Sequence, residues 1–407
     1  EVQDLLDSAD EAPIIRLVNS LLFRAVKQKA SDIHVEPFEK ELIVRFRMDG
    51  ELYDIMHPPK KAYAAICSRL KIMANLNIAE KRLPQDGRIR IKIAGKDIDI
   101  RVSTVPTAYG ESIVMRLLDK SHIVLDMEKL GITGKTLTLM REATSKSHGI
   151  ILVTGPTGSG KTTTLYAALC ELNTPDVKII TCEDPVEYQI DGINQIPVNP
   201  KIDLTFAAGL RAILRQDPDI VLVGEIRDKE TAEIAVQAAL TGHLVLSTLH
   251  TNDSASSVTR LLDMGVQPFL VSSSVVAILA QRLIRKVCLD CAKKYVPGET
   301  ELAQAGLTPE ALKGRQLYRA VGCSNCMNTG YVGRVGIHEF LTMDEDIRNL
   351  VMKNVDATTL KRAAMAKGMV TLREDGVQKA LRGLTTLEEV MLITQEDVER
   401  EKKEAAA

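Results

Sequence analysis

Apolar residues at Ile14, Leu17, Val18, Leu21, Leu22 and Ala25 recur at helical spacing and predict a helix over 14–30, ended by Ser31-Asp32. An extended run begins at Ile33-His34-Val35. Leu42, Val44 and Phe46 alternate with Arg45 and Arg47, so 42–48 reads as a half-buried strand. Asp49-Gly50 turns it into a partner strand over 51–56. A helix follows over 60–73, then a turn at 84–87, a hairpin of 88–93 and 96–103 through Ala94-Gly95, and a strand over 114–118. These elements predict an α+β domain over 1–120, with a linker over 121–130.

The texture then changes. Short, largely apolar runs at 150–154, 177–182, 220–223 and 244–248 alternate with helical patterns at 205–214 and 230–240, and another helix follows the Gly-rich turn after Thr154. Buried strands alternating with helices predict a parallel α/β domain, expected over 131–285. The apolar stretch 268–284 is broken by three serines, Gln281 and Arg282, and reads as a buried amphipathic helix rather than a membrane span. A cysteine-bearing insert is expected over 286–335. Helices at 344–354, 358–367 and 376–382 place a helical subdomain over 336–407, with a charged, frayed tail from Gln395.

Composition narrows the function. Hydrophobic residues are 45% and charged residues 26%, enough to bury real cores. A formal net charge of -2, aromatics at 3% and no Trp disfavour a general nucleic-acid binder. The chain does not begin with Met and shows no secretory leader pattern; the expectation is a longer protein with an upstream region.

Gly155-Pro156-Thr157-Gly158-Ser159-Gly160-Lys161-Thr162, between an apolar strand and a helix, fits the P-loop pattern. Glycines let backbone N–H groups close around phosphates, and the next helix adds its positive end. Lys161 is expected to reach the β- and γ-phosphates of ATP, Thr162 to ligate Mg²⁺, and Thr163 to line the same helix start. Glu225, after 220–223, sits at the carboxyl end of its strand, where ligands bind in α/β sheets; Asp217 and Asp219 precede the strand and read as turn residues. Glu183 and Glu187 follow a neighbouring strand, and acids crowded beside phosphates imply Mg²⁺ or water activation. His250, after 244–248, is a candidate γ-phosphate sensor.

The pairs Cys288-x2-Cys291 and Cys323-x2-Cys326 have the spacing of a tetrahedral structural Zn²⁺ site with no open position; unmetallated or redox thiols are the competing reading. Cys67, Cys170 and Cys182 sit in apolar patterns and read as inert core residues.

Together, 155–162, 181–187, 217–228 and 241–253 resemble the four boxes of the secretion ATPase superfamily: Walker A, Asp box, Walker B and His box, the last including Gly242 and His243. Ala30-Ser31-Asp32-Ile33-His34-Val35-Glu36 and the turn 84–88 extend the resemblance to essentially the whole chain. Its members power type II secretion, type IV pili and type IV secretion. The resemblance implies an α/β fold: a RecA-like P-loop ATPase core, a PAS-like N-terminal α+β domain, the tetracysteine zinc insert and the C-terminal helical subdomain. It implies ATP, Mg²⁺ and Zn²⁺ as ligands. Arg101 and Arg116 match the family's arginine fingers, which meet the γ-phosphate in the transition state; a solvated strand face is the bland alternative. Arg211, Arg215 and Arg227 read as salt-bridge or interface residues.

The family forms homo-hexamers that work in the bacterial cytoplasm, peripheral to the inner membrane, through a platform protein and a cytoplasmic docking protein, without nucleic acid. The tetracysteine insert is similar to that of assembly-type members and disfavours a retraction motor. Type II secretion and pilus assembly both remain; 239–243, 205–210 and 269–276 are closer to the secretion branch. A RecA-type helicase and a non-hydrolysing scaffold are the readings outside the family.

Overall fold

The structure, a computed structural model, describes residues 13–93, 96–119, 125–312 and 314–395. The expected turn at Ala94-Gly95, residues 121–124 of the expected linker and the tail beyond Gln395 lie outside the described residues. The chain divides into two compact units, 1–123 and 124–407.

The first unit runs α1 (Pro13–Lys27), β1 (Asp32–Pro37), β2 (Leu42–Met48), β3 (Glu51–Met56), α2 (Tyr63–Met73), β4 (Gln85–Ile93), β5 (Lys96–Thr107) and β6 (Gly110–Asp119). Its strands form an antiparallel sheet in the order β3-β2-β1-β6-β5-β4. Alternation decides which face is covered. Ile33, Val35, Val44, Phe46, Ile100, Val102, Ile113 and Met115 point into one core with Val18 and Leu22 of α1 and Ile66 and Leu70 of α2. The other face carries Arg45 and Arg47 of β2, Arg101 of β5 and Arg116 of β6. Gln85 already belongs to β4, so the expected turn over 84–87 is largely strand.

The second unit opens with α3 (Gly134–Thr144), β7 (Gly149–Thr154), α4 (Lys161–Leu172), β8 (Ile179–Glu183), β9 (Asn194–Pro197), α5 (Phe206–Ile213), β10 (Ile220–Val223), α6 (Lys229–Leu240), β11 (Leu244–Leu249), α7 (Ser254–Asp263) and α8 (Pro268–Ser274). It continues with β12 (Val275–Val287), β13 (Lys293–Tyr295), α9 (Glu299–Gln304), β14 (Leu317–Arg319), β15 (Tyr331–Thr342), α10 (Glu345–Met352), α11 (Ala357–Ala366), α12 (Leu372–Leu381) and α13 (Leu387–Ile393). The main sheet has the order β15-β12-β7-β11-β10-β8-β9, parallel except for the antiparallel pair β12/β15.

Both faces of this sheet are buried, which is why its central strands are largely apolar. Ile150, Leu152, Val221, Val223 and Val245 pack toward α5, α6, α7 and α8 on one face. Ile151, Val153, Leu222 and Leu246 pack toward α3 and α4 on the other.

The expected helix over 268–284 is corrected. Only its first part is helical, as α8, and Val275 onward is the long strand β12, lying parallel to β7 and antiparallel to β15. A continuous apolar run is compatible with a buried helix or a strand flanked on both sides, and periodicity cannot separate them. Pairing decides here: Ile278 and Leu279 lie opposite Leu152 and Val153. The expected divisions at 285/286 and 335/336 consequently fall inside β12 and β15. Met127, within the expected linker, is buried in the second unit's core, and the Leu130 carbonyl accepts the Gly336 N–H at 3.0 Å.

Candidate functional site

β7 ends at Thr154, and residues 155–160 turn the chain into α4. The turn demands glycine at two places. Gly155 has φ +148 and a Cβ there would sit 2.3 Å from the Gln281 carbonyl oxygen; Gly160 has φ +85, the left-handed region. Lys161 folds back across the loop and donates to the carbonyls of Gly155 at 2.8 Å and Pro156 at 3.0 Å. Burial pushes its ammonium below the ordinary value, and the negative charge of Glu225 works in the opposite direction. The Ser159 hydroxyl is buried in the same loop with no hydrogen-bond partner. Glycine backbone, a helix start, a folded-back lysine and an orphaned hydroxyl fit a polyphosphate group. Thr162 is exposed and Thr163 half-buried at the start of α4.

Glu225 follows β10 at the carboxyl edge of the sheet. The preceding Gly224 is held by its N–H to the Cys182 carbonyl at 2.8 Å and by the Thr248 hydroxyl on its own carbonyl at 2.7 Å. Glu225 Oε1 lies 3.1 Å from His250 Nε2, and Oε2 accepts Arg227 Nε at 2.6 Å. Lys161, Glu225 and His250 are thus brought to one edge. The loop bearing His250 is tied to the end of β7: the Thr251 N–H donates to the Thr154 hydroxyl at 2.9 Å, and the two hydroxyls are 2.7 Å apart. Asp219, by contrast, accepts the Lys178 N–H at 2.7 Å at the amino end of β10, and Asp217 is exposed there. His243 also lies at an amino end, its Nδ1 2.9 Å from the Ala238 carbonyl. Arg211 pairs with Glu230 at 2.6 Å, and Arg215 donates to the Arg211 carbonyl at 3.0 Å.

Glu183 departs from the sequence expectation. Its carboxylate is 3% exposed and accepts from the Tyr166 hydroxyl, from Thr181 at 2.5 Å and from Gln195 at 3.1 Å. Those partners tie α4 to β8 and β9 through its carboxylate. Glu187, half-buried, has its N–H 3.4 Å from the same tyrosine hydroxyl.

Sequence reasoning missed Gln281. It lies on β12, 3% exposed, donates through Nε2 to the Ser159 carbonyl at 2.7 Å and accepts the Thr164 hydroxyl on Oε1 at 2.7 Å. No signal pointed to it, because its segment read as a helix.

Arg101 and Arg116 lie in the first unit, directly opposite each other on β5 and β6. Like charges facing across strands are unfavourable. Asp32 eases the repulsion by accepting Arg116 Nε at 2.9 Å. Arg116 is 59% exposed.

The four cysteines of the insert converge. Cys288 follows β12 and Cys323 and Cys326 precede β15, so the ladder between those strands, extended by the Cys288 N–H to the Gly330 carbonyl at 2.8 Å, brings both pairs together. Sulfur separations are 3.9 Å for Cys288/Cys323, 3.8 Å for Cys291/Cys326 and 3.7 Å for Cys323/Cys326. Four sulfurs about 2.3 Å from one Zn²⁺ would be about 3.8 Å apart, so the set fits tetrahedral coordination. Backbone N–H groups of Gly322 and Gly330 donate to Cys291 Sγ at 3.3 Å and Cys326 Sγ at 3.2 Å, as thiolate ligands require. Burial pushes the Cys67 and Cys182 thiols up to about 11 and raises Cys170, which keeps all three protonated and unreactive.

Comparison with known proteins places this geometry. The family model described as "Type II/IV secretion system protein" matches residues 7–392. Type II secretion system protein E of Aeromonas hydrophila is 52% identical over 395 residues, covering 97% of this chain and 78% of that protein. The type IV pilus assembly ATPase PilB of Myxococcus xanthus is 54% identical over 392 residues, covering 96% and 69%. Among solved structures, the ADP-bound pilus retraction motor PilT is 27% identical with a TM-score of 0.62, covering 92% of this chain and 96% of that one. The Legionella pneumophila ATPase DotB, 21% identical with a TM-score of 0.68 over 97% and 99%, shares the fold.

Proposed function

The chain belongs to the type II/IV secretion system protein family and is an ATP hydrolase of that family; from that premise we propose that it is the motor of a bacterial type II secretion system, driving pseudopilus assembly and protein export. The observation that carries this reading is its 52% identity to a type II secretion protein E over 97% of the chain, beside an intact P-loop and cysteine cluster. Pilus assembly is the second reading, favoured by the 54% identity to PilB. Expression in a bacterium deleted for its own secretion ATPase tests the choice. Exported enzyme in the medium supports the first reading; restored surface pili in a pilus-ATPase deletion, without restored export, replaces it with the second.

Mg²⁺, when bound, would supply positive charge against the phosphates. Residues Gly155, Pro156, Thr157, Gly158, Ser159, Gly160, Lys161, Thr162 and Thr163 hold the phosphates, with Thr162 as the metal's protein ligand. Glu225, steadied by Arg227 and His250, positions the attacking water and takes its proton; Glu187 supports the metal or water. Glu183 fixes the helix that follows the P-loop. Arg101 and Arg116 are assigned the arginine-finger role.

The active form is a homo-hexamer in the cytoplasm, held at the inner membrane by a platform protein and a docking protein. Among the described residues no helix is long and apolar enough to cross a membrane, which is compatible with attachment through partners. Unchanged turnover in the presence of single-stranded DNA is expected; strong stimulation would favour the helicase reading.

Cys288, Cys291, Cys323 and Cys326 hold one structural Zn²⁺. Elemental analysis of protein purified without chelator is expected to return about one zinc per chain, and Cys291→Ser to lose it with local unfolding of the insert. Protein that carries no zinc under those conditions would overturn the assignment.

A further inference from the structure

We infer that Gln281 is a positioning residue for nucleotide binding: from β12, behind the P-loop, it holds the Ser159–Gly160 peptide so that the Gly160 N–H faces the phosphates. The inference rests on the P-loop reading and adds a residue from a distant part of the chain.

The argument begins with one peptide plane. In a trans peptide the C=O and N–H point in opposite directions. Gln281 Nε2 donates to the Ser159 carbonyl at 2.7 Å, which pins that oxygen toward β12. The N–H of Gly160, on the other side of the same peptide plane, is thereby turned away from β12. Gly160, at φ +85, lets the chain turn immediately into α4.

The amide itself has little freedom. Its Oε1 accepts the buried Thr164 hydroxyl at 2.7 Å, one turn into α4. A flipped amide would bring Nε2 to the threonine and leave the Ser159 carbonyl facing an oxygen. The Ser159 carbonyl, which can only accept, therefore sets the orientation in which Gln281 donates to the loop, and the Thr164 hydroxyl holds the amide oxygen there. The strand also presses on the loop's far end, since a Cβ on Gly155 would sit 2.3 Å from the Gln281 carbonyl oxygen. One residue thus braces the first glycine, the last peptide and the first turn of the following helix.

The consequence is specific. An N–H aimed at a phosphate oxygen before and during the reaction contributes uniform binding. Losing its aim raises KM and leaves kcat nearly unchanged, whereas a damaged fold lowers the active fraction and hence the apparent kcat. The test uses the full chain, a fluorescent ATP analogue and steady-state turnover. Gln281→Met keeps the volume and removes both hydrogen bonds; it is expected to weaken analogue binding and raise KM about tenfold, with kcat within about threefold. Thr164→Val removes only the partner that holds the amide oxygen and is expected to weaken binding about threefold. The double variant is expected to bind no more weakly than Gln281→Met alone, because both act through one amide. Wild-type affinity in Gln281→Met, a fall in kcat without a rise in KM, or effects that multiply in the double variant would each overturn the inference. Should Gln281→Met not fold, Thr164→Val decides: wild-type affinity there overturns it. If the unaltered chain binds no analogue, the P-loop reading fails, and the inference fails with it.

Discussion

Lys161→Ala is expected to remove ATP binding and hydrolysis together, whereas Glu225→Gln is expected to keep nucleotide and lose turnover by about 10²-fold or more. The two residues are neighbours with different tasks. Lys161 contributes a charge-assisted bond to phosphate, a class of interaction worth about 1.5–3 kcal/mol. It also bridges the carbonyls of Gly155 and Pro156, so alanine both deletes the charge and loosens the loop. Affinity is expected to fall by about 10²-fold. Glu225 touches the loop only through its field on Lys161, and its oxygens face His250 and Arg227. Glutamine preserves the shape, keeps one acceptor oxygen for Arg227, and removes the base. Binding of a fluorescent ATP analogue and phosphate release, measured on the same assembled protein, separate the two outcomes. Wild-type hydrolysis by Glu225→Gln would refute the assignment of Glu225 as the group that takes the proton.

Local pattern told most where the physics is local. β2 and β3 begin and end where alternation and the Asp49-Gly50 turn place them, and β10 coincides with its four-residue apolar run. The cysteine spacing made the four-cysteine cluster legible, because thiolate coordination constrains pairs of nearby residues. Long-range pairing was not legible. β15 has no periodic signal that separates it from a loop, and β12 read as a helix; each is a strand because the other lies beside it. Gln281 was hidden by that same error. Glu183 illustrates a different limit: its position after an apolar strand was visible, but the buried tyrosine and threonine that occupy its carboxylate come from tertiary packing. The alternation of Arg101 and Arg116 with apolar residues showed that both face away from the core. Their direct opposition across β5 and β6 depends on register, which neither strand encodes alone.

Arg101→Ala and Arg116→Ala are expected to cut turnover by about 10²–10³-fold while reducing nucleotide affinity far less, the pattern of a contact made chiefly in the transition state. The motive is structural as well as familial. Two arginines sit directly opposite each other on adjacent strands, with Asp32 bonded to one of them. Like charges opposite one another weaken a sheet, and an anion beside them would relieve that cost. An anion with several oxygens matches two planar forks, which lysine cannot reproduce, so Arg101→Lys is expected to recover little activity. The arginines lie in the first compact unit and the P-loop in the second, and in a ring the two partners can come from different subunits. Mixing Arg101→Ala chains with Lys161→Ala chains tests that version directly. Some mixed interfaces then combine an intact P-loop with an intact arginine, and turnover is expected to reappear. Mixed assemblies without recovery would reject the between-subunit contact. Full turnover in both single arginine variants, once assembled, would reject the finger role itself and leave the two arginines as part of a solvated face.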